Sequence, residues 1–167
     1  DAEKIPFYFV KNHNHKNSIQ LVKILKLDVL LNAGTPRKLS KNILKSTRHG
    51  VINVHPGLLP EYRGCSAVEW AIYNDEKVGN TAHFMTEEYD EGPIIKSESY
   101  NFLPDDDYKS IRSKVYKNGC VLAAKTLKII KKKKIVIDDG VAQNQSKSKF
   151  WKPIPNHLLK KVIKKID

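Results

Sequence analysis

Asn53 and His55 stand at alternate positions in "VINVHPG", and Asp90 follows downstream in "TEEYDEGPII". In a strand, residues i and i+2 face the same side, so an amide and an imidazole spaced this way are presented together. Pro56 and Gly57 then stop the strand and leave both groups at its carboxyl edge. Asp90 lies between a predicted strand and a Gly-Pro turn, so it belongs to a loop tip. An amide, an imidazole and a carboxylate form an acyl-transfer set. The amide donates to a developing oxyanion. The imidazole polarises a carbonyl or moves a proton, and the carboxylate orients it or relays the proton. No serine or cysteine is placed as a nucleophile, and Cys65 reads as packing. Direct attack by a substrate amine fits this set better than a covalent enzyme intermediate. Structural readings stand beside the chemical one: an isolated Asn-X-His is compatible with a role in packing, and Asp90 alone can cap a turn.

The elements that must position these groups follow from periodicity. "IPFYFV" (5–10) reads as a strand, "NSIQLVKILKLD" as a capped helix and "DVLLNAG" (28–34) as a buried strand. "PRKLSKNILKST" opens on Pro36 and reads as a helix, and "GVINVH" as the next strand. This alternation predicts βαβ units and a parallel sheet. Beyond it, 67–74 reads as a short helix, 79–88 and 92–102 as an antiparallel strand pair, and 105–133 as a long amphipathic helix led by Asp105 to Asp107. "IVIDDG" reads as a short strand or turn. The tail 141–167 is polar, Pro-broken and helical at 156–166. Open α/β sheets bind ligands outside the carboxyl ends of their strands. Asn53 and His55 lie at one such end and Asn32 to Gly34 at another.

The 167 residues suffice for one domain with its own core, and a hydrophobic fraction of 40% suits a globular chain. No apolar run approaches the roughly 20 residues of a membrane span. Cys65 and Cys120 make no disulfide framework, so a cytoplasmic setting is expected. The formal charge of +12 comes from 30 Lys and Arg against 18 Asp and Glu. It raises an alternative function, a basic non-catalytic nucleic-acid-binding module. The lysines cluster late, in "KIIKKKKIVI" and "LLKKVIKKID", and are not interleaved with aromatics as a single-strand groove would be. His13 and His15 hint at a metal site but lack a third ligand. There is no P-loop and no GxGxxG.

"INVHPGLLPEYRG" followed by "EEYDEGPII" resembles the signature of folate-dependent formyltransferases, a group that includes glycinamide ribonucleotide transformylase, the amino-terminal domain of methionyl-tRNA formyltransferase and the sugar N-formyltransferases. "NAGTPRKLS" is similar to the segment that lines the folate pocket in that family. The resemblance implies an α/β, Rossmann-like open and mostly parallel sheet that lacks the family's usual first βαβ unit. It implies a single catalytic domain over 1–167, N-terminally incomplete, with 141–167 as its tail. An inactive fragment is then a further alternative. The implied donor is 10-formyltetrahydrofolate, with no metal, placing the chain in one-carbon metabolism. The implied acceptor is a small-molecule primary amine: an amino sugar nucleotide, glycinamide ribonucleotide or methionyl-tRNA, with nucleic acid a partner only in the last case. Carried over by motif, Asn53 holds the formyl oxygen, His55 polarises the formyl group or shuttles a proton, and Asp90 positions His55 and helps deprotonate the amine. Asn32, Ala33, Gly34, Leu58, Leu59, Glu87, Glu88 and Gly92 are implied folate contacts, the two leucines as an apolar wall. His83 matches a histidine of the ribonucleotide branch, though it is equally readable as a strand residue at the core edge.

Overall fold

The computed structural model describes residues 5–35 and 37–166. In chain order the elements are α1 (Lys16–Ile24), β1 (Leu30–Asn32), α2 (Lys41–Leu44), β2 (Val51–His55), β3 (Arg63–Gly64), α3 (Ala67–Tyr73), β4 (Val78–Phe84), β5 (Ile94–Tyr100), α4 (Tyr108–Lys133), β6 (Phe150–Trp151) and α5 (Asn156–Ile166). Two single 3-10 turns, Ile137–Asp139 and Gln145–Lys147, separate α4 from β6.

The main sheet has the order β1-β2-β4-β5. The expected open α/β sheet is there, with its parallel pairing confined to β1 and β2, which α2 connects. β4 runs antiparallel to β2, and β5 antiparallel to β4. The β4–β5 reversal follows from a connection too short for a crossover. β3 and β6 form a separate, parallel two-stranded ribbon.

Alternation along β2 sorts its side chains between two layers. Val51 packs with Leu39, Ile43 and Leu44 around α2, while Ile52 packs with Phe84 and with Ile130 of α4. Every residue of β4 is buried, as expected of a strand covered on both faces. A third cluster joins Tyr62 to Ala67, Val68 and Ala71 of α3 and to Ile111 and Val115 of α4. α4 starts on Asp107, whose side chain accepts from the Ser110 backbone N–H at 2.6 Å. It ends on Lys131, Lys132 and Lys133, where cations complement the helix C-terminus.

Two expectations change, and the strand-or-turn reading of "IVIDDG" resolves to a turn. Residues 5–10 form no strand: Ile5, Phe7 and Phe9 are more than 80% exposed, and no described strand pairs with them, so the ladder that stabilises a strand is missing. The predicted helix in 36–47 reduces to one turn, Lys41–Leu44, with Ser40 as N-cap, and Pro36 lies outside the described residues. "IVIDDG" is a 3-10 turn in which the Val136 N–H donates to the Asp139 carboxylate at 2.8 Å.

Candidate active site

Strand register places three polar residues in one row. Asn32 is paired with Asn53 across β1 and β2, and Asn53 with His83 across β2 and β4. Their side chains bond in that order. The Thr35 N–H donates to Asn32 Oδ1 at 2.9 Å, and Asn32 Nδ2 donates to Asn53 Oδ1 at 3.0 Å. Asn53 Nδ2 lies 3.2 Å from His83 Nε2, and His83 Nδ1 lies 2.8 Å from the Phe84 carbonyl. The carbonyl can only accept, so Nδ1 carries the His83 proton and Nε2 accepts from Asn53. Burial pushes His83 down to about 4, only partly offset by the neighbouring Asp90 carboxylate. A neutral His83 is what fixes the Asn53 amide with its nitrogen toward β4. One Asn53 N–H then remains for a ligand.

His55, two residues on, is fully packed. Its Nε2 donates to the Tyr62 carbonyl at 2.6 Å. Tyr62 is held by its ring, stacked on Trp151 at 5.8 Å. The approach requires Gly57, because a Cβ there would stand 2.7 Å from the Tyr62 carbonyl oxygen and 3.0 Å from His55 Nε2. With Nε2 so engaged, His55 Nδ1 faces Asp90 Oδ1 at 3.5 Å. His83 Nε2 faces the same oxygen at 3.7 Å. These distances are too long for direct hydrogen bonds. They bring two imidazoles and a carboxylate to one point, an arrangement suited to passing a proton between His55 and Asp90.

Asp90 is presented by a strained loop. Its φ is +55°, in the left-handed region where non-glycine residues are uncommon. Its Oδ2 accepts from the Gly64 N–H at 2.9 Å. Gly64 has φ +88°, and a Cβ on it would run into the Trp151 carbonyl oxygen. The β3–β6 ribbon, too short to be visible as a sequence pattern, therefore holds the carboxylate.

A cleft of about 150 Å³ opens beside these groups. Asn32, Asn53, His83 and Asp90 form its polar side, Leu39 and Met85 its apolar side, and Glu87 and Glu88 part of its rim. Of the residues expected at the folate, Asn32, Glu87 and Glu88 line this cleft. Ala33 and Gly34 line a neighbouring, larger cavity of about 530 Å³ on the β1 side, which Asn32 also borders. Leu58 and Leu59 line neither. The turn after His55 carries them back over β4, where the Leu59 N–H donates to Thr81 Oγ1 at 3.1 Å and Leu58 packs against Gly79. Gly92 lies behind the loop, packed on the Phe84 carbonyl. His13 contacts Thr35 Oγ1 at 3.3 Å and His15 caps α1, which gives both histidines structural partners.

The sequence of the chain places this geometry. The profile of the formyl transferase family matches residues 3–127. The bifunctional polymyxin resistance protein ArnA of Wigglesworthia glossinidia brevipalpis is 38% identical over 133 residues, covering 79% of this chain and 20% of that protein. The methionyl-tRNA formyltransferase of Agathobacter rectalis is 34% identical over 127 residues, covering 75% of this chain and 39% of that one. The chain thus spans less than half the length of these curated relatives. Among solved structures, the formyltransferase PseJ from Anoxybacillus kamchatkensis, in complex with UDP-4,6-dideoxy-4-formamido-L-AltNAc and tetrahydrofolate, aligns with a TM-score of 0.67. The alignment covers 84% of this chain and 79% of that one at 18% identity, a likeness of fold. The chain belongs to the formyl transferase family.

Proposed function

We propose that this chain carries the catalytic site for transfer of a formyl group from 10-formyltetrahydrofolate to a primary amine, by direct attack of the amine. The observation that carries the reading is the convergence of Asn53, His83 and Asp90, from two strands and a loop, on one cleft, with His55 buried against Asp90. Family membership and the tetrahydrofolate held by the Anoxybacillus protein support the same donor. The cleft suits the reactive end of such a molecule. Its volume of about 150 Å³ is below the roughly 300 Å³ at which pockets begin to enclose a drug-sized ligand, so it takes a ring and the formyl group and leaves the rest outside. Leu39 and Met85 offer apolar contact to a flat ring, and Asn32 and the 86–90 segment offer polar groups at its edge. Arg37 and Lys38 stand at the mouth, where an anionic tail would leave.

When bound, the folate supplies an activated formyl carbon and departs as tetrahydrofolate. Asn53 directs its remaining N–H at the formyl oxygen, where negative charge develops as the amine nitrogen bonds to carbon. The Asp90–His55 pair takes the proton that the attacking nitrogen loses and returns one to the departing folate nitrogen as the old C–N bond breaks. Three positions held by backbone and ring contacts supply the alignment that makes this attack effectively unimolecular.

The acceptor is a small amine such as that of an amino sugar nucleotide or glycinamide ribonucleotide, or the amine of methionyl-tRNA. Charge alone does not favour a nucleic-acid module. Lys131 to Lys133 complement a helix end, and Lys114, Lys125 and Lys165 pair with Asp106, Glu98 and Asp75. The exposed, unpaired Cys65 and Cys120 suit a reducing, cytoplasmic setting. The test is to incubate the natural protein that contains this chain with 10-formyltetrahydrofolate and each of the three amines. Tetrahydrofolate release that depends on one amine, with formation of its N-formyl product, is expected. Release with none of them would overturn the proposal.

A further inference from the structure

The tail 141–167 is polar and Pro-broken in sequence, yet one of its residues reaches the loop that carries Asp90. Gln143 Nε2 donates to the Asp90 carbonyl and to the Gly92 carbonyl, each at 2.8 Å. Gln143 is 9% exposed, and its Oε1 is buried with no hydrogen-bond partner. Two carbonyl acceptors fix the amide with nitrogen inward, so both N–H groups are used and Oε1 is left over. A buried polar atom without a partner is destabilising, and it persists here as the consequence of placing two donors on one loop. The preceding carbonyl is held from the other side: Arg63 Nε and Nη2 donate to the Tyr89 carbonyl at 3.1 and 2.7 Å. Three carbonyls in a four-residue stretch are thus tied to side chains. That leaves Asp90 in its left-handed conformation with its carboxylate toward His55 and His83.

We propose that Gln143 is a positioning residue, which sets the Asp90 carboxylate against His55 by clamping the carbonyl oxygens of Asp90 and Gly92. The role rests on the reading of Asp90 as a proton-handling group in formyl transfer. Glutamine is the residue that fits. Glutamate would set a carboxylate against two carbonyl oxygens, methionine fills similar space with no donor, and asparagine keeps the amide on a stem one carbon shorter.

The test uses Gln143→Met, with Gln143→Asn as the second variant should the first fail to fold, and two readouts. The first is hydrogen exchange of the Gly64 amide, which bonds to Asp90 Oδ2. Its protection is expected to fall at least tenfold in the variant while protection in β4 and α4 is unchanged. Unchanged Gly64 protection, or an equal loss throughout the chain, would overturn the clamp. The second is the split between kcat and the KM for 10-formyltetrahydrofolate. A misplacement of about 1 Å costs up to about 100-fold in rate, so kcat is expected to fall about 10- to 100-fold with KM within about threefold. A raised KM with kcat intact would refute a positioning role. The exchange arm decides the clamp even where the wild-type protein transfers no formyl group, an outcome that would instead sink the proposed reaction.

Discussion

Substituting His83 with glutamine should change how stability depends on pH. In the unfolded chain this histidine ionises near its ordinary value of 6.5, whereas burial holds it at about 4 in the folded protein. Between these values the unfolded chain binds a proton that the folded one refuses. Stability is therefore unaffected above pH 6.5 and is lost as pH falls toward 4. At 1.36 kcal/mol per pKa unit, the gap between the two values corresponds to about 3 kcal/mol. Glutamine cannot titrate, but its amide can still accept from Asn53 and donate toward Phe84. Urea unfolding of both proteins at pH 7, 5.5 and 4 isolates the effect of this site, because titrating groups distant from it cancel in the difference. The wild type should lose about 3 kcal/mol more than His83→Gln between pH 7 and pH 4, most of it below pH 6. A difference that does not vary with pH would show that His83 ionises freely, and the argument that it fixes the Asn53 amide would fail with it.

Two further perturbations probe the same site. Asn32→Ala removes the donor to Asn53 Oδ1. A half-buried acceptor left unpaired should lower stability by about 1–2 kcal/mol, and a freed Asn53 amide should lower kcat about tenfold, read by urea unfolding and formyl-transfer kinetics. Gly64→Ala places a Cβ at φ +88° against the Trp151 carbonyl. It should lower stability by more than about 1 kcal/mol and loosen Asp90, seen as a drop in both Tm and kcat, and a variant as stable and active as wild type would show that the β3–β6 ribbon does not hold the carboxylate.

Much of the site was legible because its strongest signals are local. The i, i+2 spacing of Asn53 and His55 and the Pro56–Gly57 stop are properties of one strand end, and β2 follows them to the residue. Helix α5 was equally plain, with Leu158, Leu159, Val162 and Ile163 at helical spacing. What stayed hidden depends on pairs distant in sequence. Asn32 and His83 join Asn53 through register across three strands, which no local pattern specifies. The β3–β6 ribbon joins Arg63–Gly64 to Phe150–Trp151 in runs too short for periodicity. Leu58 and Leu59 are an apolar wall only as the family resemblance implies, and the turn that carries them packs over β4 through Thr81, a contact 22 residues away in sequence. Residues 5–10 carry a strand-like run, but a strand exists only where a neighbour completes its ladder.

Asp90 is the group on which the proposed reaction depends most directly. Replacing it with asparagine keeps the side-chain shape and an acceptor for the Gly64 N–H, but removes the group that takes a proton alongside His55. Formyl transfer in a single turnover should fall by about 100- to 10,000-fold, while tetrahydrofolate affinity and Tm stay close to wild type. Asp90→Asn protein that transfers the formyl group at the wild-type rate would contradict the assignment of this cleft as the site of the reaction.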